Sequence, residues 1–116
     1  EVDRRGGTFG AAGLLLALPE LHKLGLLYQQ GGQWQGKQLL DPNWVRESGS
    51  KQVENEEDGY GYLFWRGKYD SYRADGLYGQ YSVILPAQEA VITCTAENRK
   101  QKQLLETLLD AIVPQL

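Results

Sequence analysis

An α+β fold is predicted for this chain: an antiparallel sheet of about three strands packed with N-terminal helices and a C-terminal helix. Three observations carry that expectation. Leucines recur at helical spacing near both ends of the chain, aromatic and β-branched runs lie between them, and glycine or proline punctuates the junctions.

The first helix is expected from Pro19 to about Gln30, because proline suits a first-turn position and Leu21, Leu24, Leu27 and Tyr28 share one face. Gly31-Gly32 stops it. Gln33 to Leu40 reads as a tight hairpin or extended turn around Gly36. Asp41-Pro42 joins an N-cap acceptor to a proline at the first helical position, opening a second helix that ends near Gly49. The run Ser48 to Asp58, with Glu54, Glu56, Glu57 and Asp58, reads as a solvated loop, and the spacing of its carboxylates defines no metal geometry. Tyr60 to Arg66 is aromatic and suits a half-buried strand. Strands at Tyr78 to Leu85 and Ala90 to Ala96 are joined through Pro86-Ala87-Gln88-Glu89 as a hairpin. On the last strand Ala90, Ile92, Cys94 and Ala96 face one way, and Val91, Thr93 and Thr95 the other. Asn98 and Gln101 are spaced as a capping box for a final helix that buries Leu104, Leu105, Leu108, Leu109 and Ile112 before Pro114 ends it. Its stripe is expected on the Ala90/Ile92/Cys94/Ala96 face.

Length and charge narrow the function classes. With 116 residues the chain is expected to form one domain, residues 1–116, burying roughly two-thirds of its unfolded surface. Hydrophobic content of 41% and charged content of 23% are ordinary for a globular protein. A net charge of −3 and a pI near 5.1 give nucleic-acid binding no electrostatic support. No apolar run reaches membrane-spanning length, since Leu14-Leu15-Leu16-Ala17-Leu18 stops at Pro19. The chain opens at Glu1 and contains no methionine, which reads as a processed or cut piece of a longer polypeptide. The single cysteine, Cys94, excludes an intrachain disulfide and a multi-cysteine metal site. It reads as a small core residue, with a reactive thiol as the alternative. His22 on the first helix has no serine or cysteine partner in view and reads as a surface or packing residue. Neither a cofactor nor a metal is indicated.

The most informative stretch is Ala74-Asp75-Gly76-Leu77-Tyr78-Gly79-Gln80-Tyr81, leading into Ser82-Val83-Ile84-Leu85-Pro86. Two glycines three apart interrupt a strand-like run. Such glycines mark either a bulge, where a ligand approaches bare backbone N–H groups, or a tight turn between two strands.

The order of motifs around this stretch carries a resemblance. Ala11-Ala12-Gly13-Leu14, Pro19-Glu20-Leu21-His22-Lys23-Leu24-Gly25, Leu27-Tyr28-x-x-Gly31-Gly32-x-Trp34-x-Gly36-Lys37-x-Leu39-Leu40-x-Pro42-x-Trp44-Val45, Tyr60-Gly61-Tyr62-x-Phe64-Trp65, and Gly76-x-x-Gly79-Gln80-Tyr81 with Pro86, Val91-Ile92 and the last helix follow one another. Together they resemble the C-terminal third of serine hydrolases of the β-lactamase and penicillin-binding-protein superfamily, most nearly the class C-like esterases and the 6-aminohexanoate-dimer hydrolase group. The resemblance implies the C-terminal part of a β-lactamase/transpeptidase-like fold and a periplasmic or extracytoplasmic setting. It also implies a parent that cleaves small-molecule esters or amides through an acyl-enzyme.

The family's nucleophile, a serine in Ser-x-x-Lys, and its Tyr-x-Asn partner lie upstream of the matched region. In this chain Ser48-Gly49-Ser50-Lys51 fits Ser-x-x-Lys, but it falls at a helix end in a polar loop, where a nucleophile is expected to be solvated and unsupported; the match reads as coincidence. No Tyr-x-Asn or Gly-x-Ser-x-Gly occurs, so no catalytic residue is assigned. The family's Lys-Thr-Gly matches Ala74-Asp75-Gly76, on the strand expected to edge the substrate cleft. By resemblance Leu77 supplies an oxyanion-hole N–H, and Gly79, Gln80 and Tyr81 continue the substrate edge. Replacing lysine by Ala74 and threonine by Asp75 argues against β-lactam binding and for neutral or cationic substrates, because the cation that attracts a carboxylate is gone. The alternative reading is a non-catalytic binding or assembly module on the same fold region. An α+β lipid- or peptide-binding domain of other descent is a third. The 90–96 strand is expected to present an open edge, through which a homo-oligomer is possible.

Overall fold

A computed structural model of the chain describes residues 2–7 and 13–116. Ala11 and Ala12, which open the resemblance, lie outside the described residues. Three helices and two antiparallel sheets form in the order α1 (Leu18–Gln29), β1 (Gln33–Trp34), β2 (Lys37–Gln38), α2 (Pro42–Gly49), β3 (Trp65–Gly67), β4 (Ser71–Gly76), β5 (Gln80–Leu85), β6 (Ala90–Cys94) and α3 (Gln101–Ile112). The fold is α+β. The larger sheet is a meander of order β3-β4-β5-β6, and β1 and β2 form a separate ribbon.

Local chemistry explains the helix starts. Pro19 sits in the first turn of α1, and the Glu20 carboxylate accepts the Ala17 N–H at 2.6 Å. Asp41 caps α2 by accepting the Asn43 N–H at 2.7 Å, with Pro42 next to it. The β1–β2 turn uses Gln35 and Gly36 at φ 48° and 77°, the doubly left-handed conformation that suits a right-twisted hairpin. The expected capping box on α3 does not form. The Asn98 side chain accepts the Lys100 N–H at 2.8 Å, while Gln101 is drawn away to accept the Tyr78 N–H at 2.7 Å. Lys100 occupies the N-cap position instead.

The sheet has four strands where about three were expected. The Tyr60–Arg66 run narrows to Trp65–Gly67, with Tyr60 held by single bridges to Val53 and Trp65. The added strand is β4, whose Arg73 and Asp75 break the apolar alternation that marks a strand in sequence. Gly76 and Gly79 resolve to the turn reading: Gly76 pairs with Gln80 across the β4–β5 hairpin, and Tyr78 and Gly79 adopt φ of 67° and 97°. The expected hairpin between the last two strands is present, closed by a short 3-10 turn at Pro86–Gln88.

Two cores lie on the two faces of the meander. On one, Tyr81, Val83 and Leu85 of β5 meet Leu105, Leu109 and Val113, with Ala90, Ile92 and Cys94 of β6 packed alongside. This is the face expected for the last helix, and Cys94 joins its core. Each such leucine contributes roughly 1.5–3 kcal/mol by leaving water. On the other face Phe64, Tyr72 and Ile84 pack with Tyr28 and Ala74, and Phe64 meets Tyr28 and Tyr72 edge-on at 4.8 and 5.3 Å. Helix α1 crosses this second face against β5 and β6. Gly25 makes the approach possible: a Cβ there would lie 2.5 Å from Ser82 Oγ and 2.6 Å from Val91 Cγ1. His22 belongs to the same interface, with Nδ1 2.8 Å from Thr93 Oγ1.

No helix among the described residues is long and apolar enough to cross a membrane.

Candidate functional site

Residues of a strand alternate between faces, so Arg73 and Asp75 of β4 both point to the α3 side of the sheet, where Asp75 stands opposite Tyr81. Burying a guanidinium there requires partners for its donors. Arg73 Nε donates to Asp75 Oδ2 at 2.8 Å, Nη1 to the Arg66 carbonyl at 3.0 Å, and Nη2 to Glu57 Oε2 at 3.4 Å. Lys102 of α3 reaches the other Glu57 oxygen at 3.3 Å. Glu57 thus ties the loop after α2 to both β4 and α3. The acidic run is not wholly solvated as expected, because this one carboxylate is claimed by two cations.

Electrostatics follow the geometry. Partial burial pushes the Glu57 carboxyl up, but the Lys102 and Arg73 hydrogen bonds and charges outweigh it and hold the group below its ordinary value. Burial, reinforced by the charge of Asp75, raises the Tyr81 hydroxyl against the opposing pull of Arg73. That hydroxyl donates to the Gln101 carbonyl at 2.8 Å, fastening β5 to the first turn of α3.

Between β3, the β4–β5 hairpin and α3 lies a groove of about 600 Å³. Trp65, Leu77, Leu105 and Leu109 give it apolar walls, while Glu57, Asp58, Asp75 and Glu106 supply carboxylates and Lys68, Arg73 and Lys102 cations. Two of those cations are committed within the groove's own charge cluster, and Lys68 pairs with Asp110 at 3.2 Å. The groove combines apolar surface with a few fixed polar groups, the usual make-up of a small-molecule site.

The sequence-derived substrate edge divides over this geometry. Asp75, Gly76, Leu77 and Tyr81 border the groove, and Leu77 is 66% exposed at the hairpin tip. Ala74 faces the opposite core. Gly79 is buried in the turn, where a Cβ would meet Leu104 Cδ2 at 2.7 Å. Gln80 is exposed, across the ladder from Gly76. The strand itself is not an edge strand: β3 flanks β4 as far as the Trp65–Arg73 pair, and only Ala74 to Gly76 are paired on one side alone. Arg73 and Lys102 are not singled out by the sequence, and Glu57 and Trp65 stand out there only as part of an acidic run and an aromatic motif, not as groove residues. The one available signal was Arg73-x-Asp75, two opposite charges on one face of a strand.

Among the described residues, no serine, cysteine or histidine lines the groove. Ser48 differs from expectation in a telling way. It is fully buried in α2 rather than solvated, its hydroxyl donates to the Val45 carbonyl at 3.1 Å, and Lys51 turns outward to Glu54 at 2.9 Å. The tight seat of Gly61 against the Ser48 carbonyl closes it off. Ser48 and Lys51 therefore form no nucleophile–base pair. Among the described residues no group of three or more His, Cys, Asp or Glu side chains is placed to hold a metal ion.

The groove thus offers apolar walls and fixed charged groups but no serine, cysteine or histidine of the kind an acyl-enzyme mechanism uses. Neither a protein-family model nor a curated protein matches this sequence.

Proposed function

We propose that this chain supplies the substrate edge of a serine hydrolase related to β-lactamases and penicillin-binding proteins. The acyl-accepting serine would come from polypeptide outside this chain, and the parent would cleave neutral or cationic esters or amides. The observation that carries the reading is the half-open end of β4. Ala74 to Gly76 pair with β5 alone, and they run into an exposed Leu77 beside a groove of about 600 Å³. Backbone N–H groups at such a place are where a substrate carbonyl is polarised. Asp75 is paired with Arg73 at 2.8 Å, so the preference for neutral or cationic substrates rests on the alanine at position 74, where the family carries a carboxylate-attracting lysine. The ordered resemblance of the motifs supplies the family.

The test has two parts. The chain alone is expected to leave p-nitrophenyl esters at the background rate, and turnover abolished by Ser48→Ala would overturn the assignment of no nucleophile. In an amide-resolved NMR titration with a neutral short-chain ester or amide, shifts are expected at Asp75, Gly76 and Leu77. Shifts confined to the α1 face, or none at millimolar ligand, would remove the substrate-edge reading. A non-catalytic binding module on the same fold is the second reading, favoured by a groove lining without serine, cysteine or histidine among the described residues; it predicts the same shifts with no upstream Ser-x-x-Lys in the parent.

A further inference from the structure

The turn that carries Leu77 has a conformation its own sequence does not favour. Gly76 to Gly79 close the β4–β5 hairpin, and the Gly79 N–H reaches the Gly76 carbonyl only at 3.4 Å. Tyr78, third in this turn, has φ of 67°, a left-handed backbone that a Cβ resists and that glycine usually supplies. Such a residue persists only where its surroundings over-determine it.

Here the entry to α3 does so. The Tyr78 N–H donates to Gln101 Oε1 at 2.7 Å, and the Tyr78 carbonyl accepts the Asn98 N–H at 2.9 Å. A backbone N–H can only donate, so this contact also fixes which way the Gln101 amide faces. Gln101 grips the far side of the turn as well, its carbonyl accepting from the Tyr81 hydroxyl at 2.8 Å. The helix forgoes a capping box for this contact, leaving its N-cap, Lys100, without a side-chain cap. Between these engaged groups stands Leu77, whose N–H makes no hydrogen bond among the described residues.

We propose that Gln101 is the positioning residue of the substrate edge, an inference that rests on the substrate-edge reading of Asp75 to Leu77. By holding the Tyr78 N–H it fixes the left-handed turn and leaves the adjacent Leu77 N–H as the one donor offered to a substrate carbonyl. Without that acceptor a second N–H is freed, Tyr78 can leave the left-handed region, and the Leu77 N–H is no longer held in one direction.

The test compares Gln101→Met, which keeps the side-chain length without an amide acceptor, with Gln101→Glu, which keeps an oxygen there. In the isotope-labelled full chain, hydrogen exchange at the Tyr78 amide is expected to quicken roughly two- to tenfold in Gln101→Met, the worth of one neutral hydrogen bond. It should return towards the parent rate in Gln101→Glu, with the Val83 and Ile84 amides unchanged in both. Titration with acetanilide, a neutral amide, should shift Asp75, Gly76 and Leu77 in the parent chain and in Gln101→Glu. In Gln101→Met the same shifts should need roughly two- to tenfold more ligand. Circular dichroism checks the folding of both variants. The scalar coupling between the Tyr78 amide nitrogen and the Gln101 side-chain carbonyl carbon reads the contact in the parent chain itself, and its absence would overturn the proposal. So would an unchanged Tyr78 exchange rate in Gln101→Met, or equal titrations of Gln101→Met and the parent chain; both leave the substrate-edge reading standing. No acetanilide shift in the parent chain, with the Tyr78 effects present, would instead remove the substrate-edge reading and the positioning role with it.

Discussion

The two faces of the meander are closed by opposite means. On the α1 side a glycine lets helix and sheet backbones come together, and aromatic rings fill what remains. On the α3 side Leu105, Leu109 and Val113 pack onto β5, but Arg73, Asp75 and Trp65 keep the rest of the helix off β3 and β4. The groove lies on the α3 side. The lesson is that a buried charge set between helix and sheet acts as a spacer: its members must keep their partners, so the layers cannot collapse around them.

Removing that spacer's centre should have the largest effect. Arg73→Ala leaves Asp75 and Glu57 without their common partner and is expected to destabilise the fold by about 3–5 kcal/mol, read as a lower midpoint in urea unfolding. A midpoint unchanged from the parent chain would mean that the charge set does not hold the groove apart. On the closed face, Gly25→Ala drives a methyl into Ser82 and Val91. A cost of about 1–3 kcal/mol is expected, with loss of the His22–Thr93 contact visible in the His22 ring resonances. Equal costs for Gly25→Ala and an exposed-site alanine control would show that the close approach is not required.

The smallest effect is a pH dependence specific to the groove. The Glu57 carboxyl is held below its ordinary value when folded, so its contribution is present above the unfolded value of about 4.3 and fades as pH falls through the folded one. Glu57→Gln should flatten stability against pH between about 5 and 3, and no difference from the parent chain in that window would remove the strap role. The opposite face titrates at the other end of the scale. Burial pushes the Tyr72 hydroxyl up to about 12, so its contribution is full below about pH 10 and is lost as pH climbs through 12. Glu57→Gln should leave the Tyr72 part of that limb untouched, while easing the Tyr81 hydroxyl, which the Glu57 charge helps to raise.

Most of the architecture was legible because its signals are local. Asp41-Pro42 starts α2, Gly36 turns the small ribbon, and the leucine spacing of the last helix names the face it covers. What escaped was settled at a distance. Strand β4 hides behind Arg73 and Asp75, which are tolerable in a sheet only because Glu57, sixteen residues upstream, completes their set. The capping box has its spacing, yet Gln101 serves the Tyr78 N–H, 23 residues earlier. Ser48 looks solvated in its polar neighbourhood until Gly61 and the Tyr62 N–H seal its carbonyl. In the site, glycines betray Gly76 and its neighbours, whereas Trp65, Arg73 and Lys102 come together only when three separate segments meet.

The meander also shapes how the chain reaches its native state. Each of β3 to β6 pairs only with its immediate predecessor or successor in the chain. Every rung of the sheet therefore closes a short loop, and the entropy lost in each closure is small. The exception is α1, whose His22 must find Thr93 across 71 positions of chain. Among the side-chain hydrogen bonds of the described residues this one spans the most chain, so closing it costs more loop entropy than any rung of the sheet.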